Sequence, residues 1–175
     1  MSDAKLMVNE LITRAKKAQE VAESFTQEQV NELIKAIAWE VVQEDTAREI
    51  ATLAVTESQL GNYEGKYSKL MKKVRGALRD MKDEKSVGII ERIPEKGIVK
   101  FAKPVGVIGA LVPCTNPEAT PVIKAMNAIK GRNAIVFAPH PRTKKTNKYI
   151  VDIMRATLKK YNAPEDLIIT IEEPS

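Results

Sequence analysis

The chain has 175 residues, 43% of them hydrophobic, with 28 basic against 23 acidic side chains and a formal net charge of +5. That is enough material for a domain burying roughly 70% of the surface its unfolded form exposes, so a core forms without staples. One cysteine and one histidine exclude a disulfide framework and a thiol–imidazole zinc site within the chain, and 5% aromatics leave little for base stacking. Neither nucleic acid nor membrane is therefore expected as a partner. No apolar run approaches the ~20 residues that span a bilayer. The polar start MSDAKLMVNELITRAKK is not a secretory signal, so a cytoplasmic location is expected.

Residues 1–85 read as helices. Leu6, Met7, Leu11, Ala15, Ala18 and Ala22 recur at helical spacing. Thr26 and Gln29 stand as a capping box, with Phe25 and Val30 as a hydrophobic staple, before the stripe Val30, Leu33, Ile34, Ile37, Val41, Val42. Ile50, Ala51, Ala54 and Val55 predict a third helix, closed by Gly61. Tyr63, Tyr67, Leu70, Met71, Val74, Leu78 and Met81 predict a fourth.

The texture changes at Ser86. VGIIERI and IVKFAK read as strands joined by the turn Pro94–Gly97, a hairpin unit over 86–104. Val105–Val112 is nearly all apolar, as for a strand buried on both faces. A helix over Ala119–Lys130, a strand over Asn133–Ala138, a helix over Thr143–Tyr161 and a strand over Leu167–Ile171 follow. The fold class is α/β: N-terminal helices and a hairpin lead into a β-α-β-α-β half of a Rossmann-like parallel sheet over 105–175. The strand at 167–171 is expected to present a bare edge, and hence self-association.

Ligands of such sheets sit beyond the carboxyl ends of the strands. Two loops leave those ends, Pro113–Pro117 and Pro139–Arg142, so both lie on one edge. Asn116 carries two side-chain N–H donors that suit a developing oxyanion, or it shapes the turn before Pro117. Cys114 is a nucleophile only in an electropositive setting, and otherwise a small thiol without a chemical role. His140, between Pro139 and Pro141, is held stiffly, to contact a cofactor or to bond within its loop. From Ala119 to Val151 there are seven basic residues and no acid. The basic side chains suit either a phosphate-bearing ligand or a solvated helix face. Gly106 and Gly109 do not make a dinucleotide fingerprint.

The segment PVGVIGALVPCTNPEATPVIKAMNAIKGRNAIVFAPHPRTKKTNK resembles the cofactor-domain core of the CoA-acylating aldehyde dehydrogenases, nearest to the aldehyde half of bifunctional aldehyde-alcohol dehydrogenases. SFTQEQV (24–30) and APEDLI (163–168) extend the resemblance over nearly the whole chain. It implies NAD, less so NADP, as oxidant, with an aldehyde and coenzyme A as co-substrates. It implies Asn116 as the catalytic oxyanion donor. It places Leu111, Val112, Pro113, Cys114, Thr115 and Asn116 on one cofactor-contacting segment, and Ala138, Pro139, His140, Pro141 and Arg142 on the other. The hairpin resembles an oligomerisation arm, so a homo-oligomer is expected. At the position of Cys114 the family more often has threonine. By resemblance the nucleophilic cysteine belongs to a catalytic domain beyond residue 175, so the isolated, truncated chain is expected to be inactive. Two rival functions are a non-catalytic assembly fragment and a standalone nucleotide-binding protein.

Overall fold

Apolar spacing and capping chemistry set the first four helices. The computed structural model describes residues 3–174. Helices α1 (Asp3–Ala22), α2 (Gln27–Val41), α3 (Glu44–Ser58) and α4 (Tyr63–Met81) follow one another. At the start of α2, Thr26 Oγ1 accepts from the Gln29 N–H at 3.2 Å and Gln29 Oε1 accepts from the Thr26 N–H at 2.8 Å. Each side chain thus satisfies a backbone amide that would otherwise be orphaned. In α1 the stripe is buried only from Ala15 onward, and Leu6 and Met7 are exposed.

The end of α3 differs from the glycine-based expectation. Gln59, with φ 54°, takes the left-handed position instead of Gly61. Ser58 explains this: its Oγ donates to the Ala54 carbonyl at 2.5 Å and accepts from the Leu60 N–H at 3.2 Å, tying off the last turn early. Gly61 (φ 74°) instead serves the turn into α4, whose Asn62 Oδ1 accepts from the Gly65 N–H at 2.8 Å.

Strands β1 (Gly88–Ile93) and β2 (Ile98–Ala102) form an antiparallel hairpin, closed by a single 3-10 turn and by Gly97 at φ 63°. Its root is fastened. Gln27 Oε1 accepts from the Ser86 and Val87 amides, and Arg132 Nη2 donates to the Ala102 carbonyl at 2.9 Å. Its flanks stay open, with Ile98, Val99 and Phe101 exposed.

Strands β3 (Val107–Val112), β4 (Ala134–Pro139) and β5 (Ile168–Thr170) are parallel in the order β3-β4-β5, joined by α5 (Thr120–Lys130) and α6 (Lys144–Lys160). This is the predicted β-α-β-α-β order. Phe137 in the central strand is fully buried, and one continuous apolar core joins α2–α6 to the sheet. One expectation about exposure is corrected. β3 is not buried on both faces: Ala110 and Val112 are buried, while Leu111 on the other face is 77% exposed. β3 is an outer strand, and α1 covers that face mainly over β4. β5 is the other outer strand and among the described residues pairs only with β4, so its backbone edge is unpaired as expected, while its side chains Ile168 and Ile169 are buried by α6, α1 and the turn before β5.

Candidate functional site

The strand register brings the two predicted loops together. Leu111 pairs with Ala138 and Val112 with Pro139, and the His140 N–H donates to the Val112 carbonyl at 2.9 Å. The loops therefore leave one rim side by side. Leu111, Val112, Pro113, Ala138, Pro139, His140 and Pro141 all line a cleft of about 650 Å³, completed by α1 and the segment after β5. Four of the predicted residues do not line it: Cys114, Thr115, Asn116 and Arg142. Thr115, Asn116 and Arg142 turn toward the helical layer.

The turn at 115–118 rests on α4. Glu118 is fully buried, and its Oε2 accepts from Lys66 Nζ at 3.2 Å. Lys69 Nζ lies 2.9 Å from Oε1, without the alignment of a hydrogen bond. Lys66, itself only 3% exposed, also donates to the Thr115 carbonyl at 2.6 Å. Lys69 donates to Asn116 Oδ1 at 2.5 Å. Asn116 Nδ2 is left with one long bond, 3.3 Å to Thr115 Oγ1. Two cations and one carboxylate thus stand behind the asparagine. Their burial is tolerable because each charge has a partner.

None of these three residues was singled out from the sequence. A signal existed for two of them. Lys66 interrupts the apolar stripe of α4, one turn before Leu70, and Glu118 is the only acid between Glu95 and Asp152.

The second loop is held from within. His140 Nδ1 accepts from the Arg142 N–H at 3.1 Å, which in the neutral ring leaves Nε2 as the outward donor. The Arg142 guanidinium donates to the Ser58 carbonyl at the end of α3, a favourable place for a cation. The Glu57 carboxylate accepts from the Lys145 and Thr146 amides and from Thr146 Oγ1, at 3.2, 2.6 and 2.7 Å. It occupies the N-terminus of α6. Cys114 is a half-buried free thiol.

The basic stretch is not a bare helix face. Lys130 is buried and donates to Asn31 Oδ1 at 2.5 Å, and Arg132 is buried against the Glu23 and Ala102 carbonyls. Lys144 and Lys148 pair with Glu173 and with Asp152 and Glu172. No helix among the described residues is long and apolar enough to cross a membrane.

Comparison with known proteins gives the family and the fold. The model of the aldehyde dehydrogenase family matches residues 2–173. The chain belongs to the aldehyde dehydrogenase family. It is 48% identical over 169 residues to a sulfoacetaldehyde dehydrogenase of Acholeplasma sp, covering 97% of this chain and 35% of that protein. The crystal structure of an acetylating aldehyde dehydrogenase from Geobacillus thermoglucosidasius superposes with a TM-score of 0.93 at 34% identity, over 100% of this chain and 39% of that one. A Rhodopseudomonas palustris propionaldehyde dehydrogenase with bound propionyl-CoA superposes at 0.78 with 29% identity, over 95% and 36% of the two chains. The aldehyde dehydrogenase chain described here thus spans little more than a third of the length of these relatives.

Proposed function

We propose that the chain is the cofactor-facing N-terminal portion of a CoA-acylating aldehyde dehydrogenase. The enzyme oxidises an aldehyde with NAD, in preference to NADP, and passes the acyl group to coenzyme A. The observation that carries this reading is the shared rim, where seven residues of two loops line one cleft and a backbone hydrogen bond locks the loops together. When bound, the dinucleotide supplies the hydride acceptor.

The residues present fit part of that cofactor. Leu111, Ala138 and Pro139 offer apolar contact to flat rings, and His140 offers an outward N–H. They do not supply a diphosphate seat at α6, because Glu57 already takes the amides that an anion would use. Holding the diphosphate is assigned to residues outside these loops.

Asn116 donates from Nδ2 to the carbonyl oxygen of the aldehyde as negative charge develops there. One such donor contributes about 3–4 kcal/mol in comparable sites. Cys114 makes no side-chain hydrogen bond among the described residues, so no base activates it, and the nucleophilic thiolate is assigned outside residues 1–175. The exposed Ile98, Val99 and Phe101 of the hairpin support its role as an assembly arm between copies.

Calorimetric titration of the chain with NAD tests the reading. Binding is expected, and Leu111→Asp should weaken it at least tenfold, which is about 1.4 kcal/mol. No heat at millimolar NAD would overturn the cofactor role and leave the assembly role alone.

A further inference from the structure

The chemistry of the group behind Asn116 decides which way its side-chain amide faces. A primary amide has nearly the same shape either way round, and only its neighbours choose between its oxygen and its nitrogen. Lys69 Nζ sits 2.5 Å from one end of that amide. An ammonium has three donors and no acceptor, so the atom facing it must be Oδ1. Nδ2 is thereby turned away from α4, with only the 3.3 Å contact to Thr115 Oγ1 to hold it. One of its two N–H groups remains uncommitted.

We infer that Lys69 is a positioning residue that fixes Asn116 in its donating orientation, with Glu118 holding the ammonium in place. The geometry distinguishes the two lysines of α4. Lys66 commits two of its three donors to the Thr115 carbonyl and Glu118 Oε2, and so braces the turn's backbone. Lys69, a third exposed, reaches past the same carboxylate to the asparagine. Glu118, fully buried, keeps its Oε1 2.9 Å from that ammonium, without a hydrogen bond aligned to it. That contact restrains a side chain which would otherwise be free to swing into water. Charge on Oδ1 also polarises the amide and makes its N–H groups stronger donors. This role deepens the oxyanion reading of Asn116 and rests on it for its catalytic meaning. The orientation itself does not depend on that reading.

The test uses the 175-residue chain with its asparagines labelled with ¹⁵N. The Asn116 side-chain signals are identified by their disappearance in Asn116→Ser. In the unmodified chain, the Asn116 Hδ2 protons should show cross-relaxation with the Thr115 side chain and not with the Lys69 Hε protons. Lys69→Met should collapse the Asn116 proton pair onto the positions of freely hydrated amides, with the remaining asparagine pairs unmoved. Lys69→Arg, which also carries donors only, should restore the distinct pair. A Lys69→Met spectrum with an unchanged Asn116 pair would overturn the inference, as would failure of Lys69→Arg to restore it. If Lys69→Met does not fold, cross-relaxation in the unmodified chain decides: contact of Hδ2 with Lys69 Hε in place of Thr115 overturns it. Titration of the same sample with NAD reads the functional proposal on separate signals, so the two can fail independently.

Discussion

Replacing Glu118 with alanine isolates the charge cluster on which the Asn116 turn rests. Glu118 is fully buried and the Lys66 side chain is 4% exposed, so the variant leaves an ammonium in the interior with the Thr115 carbonyl as its remaining partner. Breaking a buried pair in this way costs about 3–5 kcal/mol. The second cation, Lys69, is 34% exposed and is largely rescued by water, so the lower end, about 3 kcal/mol, is the expected loss. With a urea dependence of about 2 kcal/mol per molar, the midpoint should fall by about 1.5 M at unchanged slope. The assay is urea unfolding followed by circular dichroism, on Glu118→Ala, Lys66→Met and the double variant. Removing both partners should cost clearly less than the sum of the single losses, because no charge is then left unpaired. A loss below about 1 kcal/mol for Glu118→Ala, or strict additivity, would refute the argument that these charges support each other.

Other perturbations read other layers. Phe137→Ala should cost about 3–5 kcal/mol in the same unfolding assay, since it empties a fully buried site in the central strand. Thr26→Ala should cost about 1 kcal/mol by removing one half of the capping box at α2. Tyr149 is pushed up to about 12 by burial and by its hydrogen bond to Glu49. A raised folded value means that its contribution is present below the ordinary value of 10 and lost as pH rises toward 12. Tyr149→Phe should flatten the stability curve in that window. Asp166 is held below its ordinary 3.8, chiefly by its hydrogen bond from Arg14 and then by Arg155. Its contribution is present above 3.8 and lost as pH falls through the lower folded value, so Asp166→Asn should lessen acid destabilisation there.

Much of this architecture is legible in the residues because local chemistry and tertiary packing agree. The capping box at Thr26 and Gln29 and the Pro94–Gly97 turn satisfy backbone groups locally, and the three apolar runs pair with one another as β3, β4 and β5. The parallel order then follows from crossover geometry, and with it the rim that gathers Leu111, Pro113, Ala138 and His140. Periodicity fails where the deciding partner is distant in sequence. Leu111 carries the same apolar signal as Val112, yet one is exposed and the other buried, because β3 is an outer strand and only one of its faces is fully roofed. Gly61 yielded the helix end to Gln59 because the Ser58 hydroxyl competes for the last turn, which the glycine signal does not register. Lys66 and Glu118 lie 52 residues apart, and neither residue alone shows that both are buried as a pair. Arg132 and Lys130 read as surface charge by composition, while their guanidinium and ammonium groups close carbonyls and an amide oxygen of other elements.

Hydrogen exchange of the chain with and without NAD, resolved by peptide, tests the proposed dinucleotide rim most directly. Added cofactor should slow exchange in the peptides holding residues 111–116 and 138–142 together, and leave the β1–β2 hairpin unchanged. Protection confined to the helical layer, or to one of the two loops without the other, would contradict a cofactor seat shared between neighbouring strand ends.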